Sequence, residues 1–490
     1  MAWVIYMRVS FLYIGLLFFF IIQAQAQYTY QWEKAFGNSG IVEANSLAIC
    51  PSGEIIIVGT LKNNGLHTWI KKISPQGKTL WTRFVENHQT AAPARVVVLP
   101  DSSFVIAGYV RNYEDPTDYL WLAKFDSIGT LMWERSFYNL GFARAQDIRP
   151  TPDKGFIIAA NVFSQQDPSD WLIVKTDSLG FIQWHHQSGT PYNDQANAIA
   201  VLNDNSYAIA GFVGLNKGNL KTMAVSIYDS TGYETGYREF KDLGFSEAMA
   251  LAASADTSLI IAGYTIDSFY RNDIVVMKLN YYGDTLWKRH IKLPFREIPF
   301  SVIQAFDKTY VVAYNLMTSE FPYSDIGIIQ LSPDGKIIYS SLIKQAGDEF
   351  IAQLVENKDN GISILATNHT IAQGWKVSLT KCKSKITTQL RFIIPHSALT
   401  ATSHNKAVIK ACITSYLKPK KVIILHNGQP LDTITRFDIL QDKRCQFAFE
   451  TQFKLKLGIN VITFVLTDYK GYKIIRKRTI IYIPLPGKIW

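Results

Sequence analysis

An aromatic residue returns about every 51 positions through the first three quarters of this chain, at Trp32, Trp81, Trp133, Trp184, Tyr237, Trp287 and Tyr339. The gaps are 49, 52, 51, 53, 50 and 52 residues, too regular for scattered aromatics and longer than the usual helical-pair repeats. Such a period marks an array of like units that bury their apolar faces against one another. Each unit carries four strand-length apolar pieces, seen in the fourth as 183–186, 196–200, 207–211 and 220–228. These pieces are rich in Ile, Val, Tyr and Trp, bounded by Gly, Asn and Asp, and show no helical stripe, so each unit reads as a small four-stranded sheet.

Two local signals repeat with the aromatics. A hairpin of the form Asp126 to Gly129 precedes Trp133 and recurs at Asp177 and Gly180, Asp229 and Gly232, Asn280 and Gly283, Ser74 and Gly77, and Ser332 and Gly335. The Asp, Asn or Ser bonds the backbone ahead of it, and the glycine supplies the positive φ that closes the turn. The second signal is Ile-Ala-Gly, at Ile106 to Gly108, Ile209 to Gly211 and Ile261 to Gly263, with looser forms at Ala313-Tyr314 and Leu365-Ala366. Small residues there are expected to let neighbouring sheets approach closely.

Seven aromatic strands, the first at Trp32, face seven sets of the other three strands, the last ending near 375–379. The counts match if the strand at Trp32 to Phe36 pairs with the one at Trp375 to Leu379. The expected fold is therefore all-β: a seven-bladed β-propeller closed by the N-terminal strand, followed by a small β-sandwich. The expected boundaries are 1–26 for a signal peptide, 27–382 for the propeller, 383–405 for a linker and 406–490 for an immunoglobulin-like sandwich.

The phrase Trp-x-x-x-Phe, then Ala-x-x-Ile, Ile-Ile-Ala-Gly and Asp-x-Trp-Leu-x-x-Lys-x-Asp-x-x-Gly resembles secreted bacterial β-propeller repeat proteins over about residues 30 to 381. That resemblance implies the architecture and an extracytoplasmic setting, and no particular reaction. In the last hundred residues, 427–430, 447–449, 457–462 and 467–471 resemble bacterial immunoglobulin-like modules, which implies a spacer or adhesive unit. Strands are expected there at 406–414, 421–426, 444–451, 459–467 and 473–483.

The N-terminus reads as an export signal, with Arg8 in a basic start, an apolar run from Phe11 to Ile22, and Ala24-Gln25-Ala26 as the small-x-small cleavage site. Cleavage near Ala26 implies a secreted, periplasmic or cell-envelope protein, with no integral membrane segment in the mature chain and no nucleic acid partner. From Lys383 onward, 19 Lys and Arg face 5 Asp and Glu, net +14 in a chain of +10. This basic tail is expected to lie near an anionic surface, or simply to solvate a small domain. The four cysteines, Cys50, Cys382, Cys412 and Cys445, fit an oxidising compartment. Bridges from Cys412 to Cys445 and from Cys50 to Cys382 stand beside buried free thiols as alternatives, and no Cys/His cluster suggests zinc.

The short connections fall at one end of each unit, so the longer, more variable loops gather at the other, where a ligand is expected. The candidate ligand-binding residues on those loops are Tyr113, Phe163, Phe269, Tyr270, Phe321 and Tyr323, rings suited to stacking on a sugar or a peptide. Asp118, Asp170, Asp273 and Asp325 are expected to share one place in the unit and to cap loop amides. Arg95 and Asp147, at equivalent positions in adjacent units, are candidates for an ion pair in the channel. No catalytic residue, cofactor or metal is expected, because metalloprotease, nucleophile-elbow, phosphate-loop and EF-hand spacings are absent. The expected function is a secreted non-catalytic binding or scaffold protein that recognises a glycan or protein through the long-loop face. The alternatives are an extracellular carbohydrate-active enzyme, a hydrolase or lyase, and a structural component of an envelope assembly.

Overall fold

The computed structural model describes residues 28–482 except 37–40, 63–64, 86–87, 116, 164–168, 218–219, 268–270, 294, 318–323, 344–346, 371–373, 385–388, 395–398, 403–405, 415–420, 437, 443–444, 457 and 468–472. The expected signal peptide lies outside the described residues. No helix among those described is long and apolar enough to cross a membrane. The described chain is predominantly strand, with two 3-10 turns, Tyr138–Leu140 and Lys241–Leu243.

Residues 28–384 form antiparallel four-stranded sheets in series. Following the repeat, unit 1 spans 41–85, unit 2 90–136, unit 3 143–188, unit 4 195–239, unit 5 246–291, unit 6 296–343 and unit 7 348–384. Units 1 and 2 touch through one parallel bridge, Leu66 to Thr90, and so form a single eight-stranded sheet. The fourth strand of unit 7 is Tyr28–Phe36, antiparallel to Gly374–Ser384 with Trp32 opposite Lys381 and Phe36 opposite Val377.

Alternation along each strand sends successive side chains to opposite faces, and both faces are apolar. Each apolar cluster therefore lies between consecutive units: Val105, Ala107, Leu120 and Leu122 of unit 2 pack on Ile148, Phe156, Ile158 and Leu172 of unit 3. One such cluster joins Leu47, Ile55, Ile57 and Trp69 of unit 1 to Leu365, Val377 and Leu379 of unit 7. Burying each of these large side chains stabilises the stack by about 1.5–3 kcal/mol. Repeated four-stranded sheets packed face to face in this way are the build of a β-propeller.

Polar side chains staple the units along their first strands. The amide of Val96 donates to Ser46 Oγ (3.0 Å), that of Ile199 to Asp147 Oδ2 (3.1 Å) and that of Leu354 to Ser301 Oγ (3.2 Å). The amide of Leu47 in unit 1 donates in the same way to Gln353 Oε1 of unit 7 (2.9 Å). A second staple runs from Ala196 N to Asn161 Oδ1 (2.7 Å) and from Ile351 N to Asn315 Oδ1 (3.1 Å). Its copy between units 1 and 7 runs from Ala44 N to Thr367 Oγ1 (2.8 Å).

The hairpins form as their residues dictate. Asp126 Oδ1 accepts from the amides of Ile128 (3.0 Å) and Thr130 (2.8 Å), and Gly129 sits at φ +85°. Asp177, Asp229 and Asn280 repeat the pattern. The recurring tryptophans cover these turns from the preceding unit: a Cβ on Gly129 would lie 2.9 Å from the Trp81 ring, and one on Gly180 would lie 2.9 Å from Trp133. Trp32 covers Gly77 of unit 1 likewise, at 3.3 Å. The five tryptophans of the period are thus one half of a contact whose other half is the glycine of the next hairpin, whereas at Gly283 the neighbour is Arg238 rather than Tyr237.

The glycine of Ile-Ala-Gly has a different cause from the one expected. In each unit the register between first and second strand slips opposite this residue, as at Ala196/Ala198, and the bulged strand pushes a carbonyl towards it. A Cβ on Gly211 would lie 1.8 Å from the Gln195 carbonyl oxygen, so the space there serves the bulge within the same sheet; at Gly263 it also admits Met223 of the neighbouring unit, 2.5 Å from such a Cβ. Unit 6 has Tyr314 there and moves the glycine to the paired position: a Cβ on Gly327 would lie 1.9 Å from Tyr314 Cζ. Gly327→Ala is therefore expected to cost about 2–4 kcal/mol in denaturant unfolding. The double variant Gly327→Ala with Tyr314→Ala should recover at least ~1 kcal/mol of that loss through coupling. Additive losses would contradict the exchange.

After unit 7 two further sheets follow. One orders Gln389–Ile394, Lys406–Thr414, Cys445–Lys454 and Asp438–Asp442, and the other Leu399–Thr402, Lys473–Tyr482, Gly458–Thr467, Lys421–His426 and Gln429–Ile434. Rings of Phe449 and Phe464, one from each sheet, lie 6.3 Å apart. Two strands, 389–394 and 399–402, fall within the stretch expected to be a linker. Cys50 and Cys382 are free, buried thiols in separate apolar clusters, and burial pushes the Cys382 thiol up to about 11.

Candidate functional site at the long-loop end

The antiparallel order places the starts of the first and third strands of every unit at the long-loop end. Third strands do not present their carboxylates there in one way. Tyr119 pairs with Val110 at the place where Asp170 pairs with Val162, Asp273 with Thr265 and Asp325 with Leu316. Asp118 is thus one residue earlier than the other three, and alternation turns it to the opposite face. The expectation of one shared place is corrected by this register. Asp118 is fully buried between two arginines, with Arg111 Nε at 2.7 Å and Arg144 on its other oxygen. Arg144 in turn lies over the rings of Tyr109 (4.7 Å), Phe142 (5.2 Å) and Phe163 (5.5 Å).

A cavity of about 740 Å³ opens at this end above unit 4, with Phe163, Ser169, Tyr192, Gln195, Phe212 and Lys221 among its walls. Of the six aromatic candidates, Phe163 lines this cavity, and Tyr113 is 76% exposed away from it. Phe269, Tyr270, Phe321 and Tyr323 lie outside the described residues. Below the cavity, Asp194 fastens the link from unit 3 to the second strand of unit 4, accepting from Gly214 N (2.6 Å) and from the amide and hydroxyl of Thr190. Burial raises its carboxyl above the usual range despite those bonds, and Asp170 adds repulsion.

The first strands of units 6 and 7 carry a carboxylate at the place of Asp194, three residues ahead of the bulge, as Glu297 and Glu349. A carboxylate at that place, at spacings of 103 and 52 residues, was a signal available in the sequence. Glu297 has lost the clamp that Asp194 makes. One of its oxygens accepts from Phe295 N (3.1 Å), while Oε2 is buried with no hydrogen-bond partner among the described residues, as is Oδ1 of Asn272 on the third strand of unit 5. The Glu297 side chain is fully buried, and desolvation pushes its carboxyl up to about 7; Asp273 adds repulsion and Arg271 opposes it. Asp273 is itself buried, with Lys292 Nζ 3.8 Å away. Between this seam and the cavity stands a polar chain across unit 5: Lys221 pairs with Glu247, and Glu247 accepts from Tyr264 Oη (2.7 Å).

In the channel, Arg95 Nε meets Asp147 Oδ1 at 3.1 Å, and Arg149 meets the same oxygen at 2.5 Å. Because Asp147 also holds the Ile199 amide, this expected ion pair is part of the stapling between units. A small void of about 150 Å³ lies beside it, lined also by Met249, Ser301 and Gln353.

No protein-family model matches this chain, and no curated protein matches it. Solved structures do. The β-propeller domain of the trilobed protease from Pyrococcus furiosus is 13% identical, with a TM-score of 0.43, over 70% of this chain and 95% of that one. Puromycin hydrolase is 11% identical, with a TM-score of 0.44, over 76% of this chain and 58% of that one. Sqt1 from Chaetomium thermophilum is 8% identical, with a TM-score of 0.38, over 72% of this chain and 100% of that one. The expectation of a non-catalytic binding or scaffold protein finds no counterpart in the first two of these names, which are those of a protease domain and a hydrolase.

Proposed function

We propose that this chain is an exported hydrolase on a seven-bladed β-propeller closed by Tyr28–Phe36, with an immunoglobulin-like module after it, and that the seam between units 5 and 6 performs the chemistry. The observation that carries the hydrolase reading is the Glu297 carboxyl, buried, unpartnered at Oε2 and pushed up to about 7, beside the Asp273 carboxylate. A buried carboxyl raised towards neutrality next to a second carboxyl is an arrangement that supplies the acid of glycoside hydrolysis. Glu297 in its neutral form donates a proton to the leaving oxygen, and Asp273 stabilises positive charge developing on the sugar or takes the proton of the attacking water. Glu297 meets a substrate when its one hydrogen-bond partner, the Phe295 amide, gives way.

Closure is supported by the two staples, the apolar cluster and the tryptophan-on-glycine contact, each of which joins unit 7 to unit 1 as it joins internal neighbours. Export is supported by the pattern of residues 1–26. The test of the enzyme reading is a panel of chromogenic glycosides, esters and amides. Release from at least one glycoside, lost on Glu297→Gln, is the expected result. Turnover that is unaffected by that change, or no release from any glycoside, would contradict it.

A further inference from the structure

The cavity above unit 4 belongs to a different seam from Glu297 and has its own chemistry. Among the described residues, its charged lining residues are Lys217 and Lys221, and no carboxylate lines it. Lys221 is held in place: its ammonium lies 3.8 Å from the centroid of Phe212 and 5.5 Å from that of Phe245, and Glu247 pairs with it from outside the lining. A cation fixed in this way meets a ligand without ordering a long side chain first. Asp194, the carboxylate beneath the floor, turns its oxygens to Gly214 and Thr190 rather than into the cavity. Phe163, Tyr192, Phe212 and Phe245 supply ring faces, and Asn193 and Gln195 supply amide groups. A space of about 740 Å³ suits a ligand of a few rings.

We propose that this cavity binds a small organic anion, a carboxylate carried on a ring, with the ring against the aromatic walls and the carboxylate on Lys221 and Lys217. Acidic sugars and aromatic acids share that chemistry, and the two arms of the test separate them.

Calorimetric titration of the full exported chain would use a glucuronic acid tetrasaccharide against a neutral glucose tetrasaccharide, and naphthoate against naphthamide. At least one anionic probe should bind at least tenfold more tightly than its neutral counterpart, with the preference shrinking at raised salt. Lys221→Met should reduce that preference below about threefold, and Lys217→Ala, an exposed site that leaves the Glu247 pair intact, should weaken anion binding about threefold. Equal affinities within both pairs, no binding by any probe, or a preference that survives in both lysine variants would overturn the proposal. Binding is read without turnover, so failure here is distinct from failure of the Glu297 chemistry.

Discussion

Deletion of residues 28–36 is expected to destabilise the propeller by more than about 5 kcal/mol, the largest effect of any single change considered. The loss removes an entire nine-residue strand and leaves the edge at Gly374–Ser384 unpaired. It also uncovers the Gly77 hairpin beneath Trp32 and removes Phe36 from the ammonium of Lys71, 4.6 Å from the ring centroid. Damage should therefore spread to both neighbours of the junction. Limited proteolysis should cut first within units 7 and 1, and thermal unfolding should begin well below that of the intact chain. A synthetic peptide of residues 27–37 added in excess should restore part of the lost stability by strand addition. An unchanged melting curve after the deletion would contradict the role assigned to this strand.

Glu297→Gln is expected to lower glycoside turnover by about 10²–10⁴-fold, the range for loss of a general acid. In the parent chain only the protonated carboxyl donates, so the rate should fall as pH rises through about 7, and this alkaline limb should vanish in the variant. Stability of the parent should fall with rising pH as well. The folded carboxyl titrates near 7 and the unfolded one near ~4.3, so between those values the folded chain holds a proton that the unfolded chain has released. Stability is greatest below the unfolded value, declines as pH rises through that window, and above about 7 carries the full cost of a buried charge, ~4 kcal/mol. Glutamine removes that cost, so the variant should be more stable than the parent at pH 8 and nearly equal to it at pH 4. Denaturant unfolding at the two pH values checks this. Equal stabilities at pH 8 would show that Glu297 is not buried in its charged form.

Local turn chemistry and period were legible in the chain because each depends on residues close in sequence. Asp126 and Gly129 specify their hairpin within four residues, and the expected strands 406–414 and 421–426 match the observed ones end for end. What escaped depends on register. A one-residue offset separates Asp118 from Asp170, and only the strand pairing reveals that they face opposite ways. The bulge that demands Gly211 is a property of two paired strands, as is the exchange of Tyr314 and Gly327. At the long-loop end, Lys221, Glu247 and Glu297 lie on strands rather than on the aromatic loops, and they acquire their character from burial and from partners such as Glu247 and Tyr264, 17 to 26 residues away. Missed too were 429–434 and 438–442, short strands with few β-branched residues.

In the proposed ring, Tyr28–Phe36 completes unit 7 of its own chain. Ala35 and Ser378 are direct partners in the antiparallel register. Cysteines introduced as Ala35→Cys and Ser378→Cys, oxidised under mild conditions and mapped by peptide mass spectrometry, test it most directly. The closed ring predicts a crosslink between these two positions within a monomer. Failure to crosslink, or crosslinks found only between two chains, would contradict it.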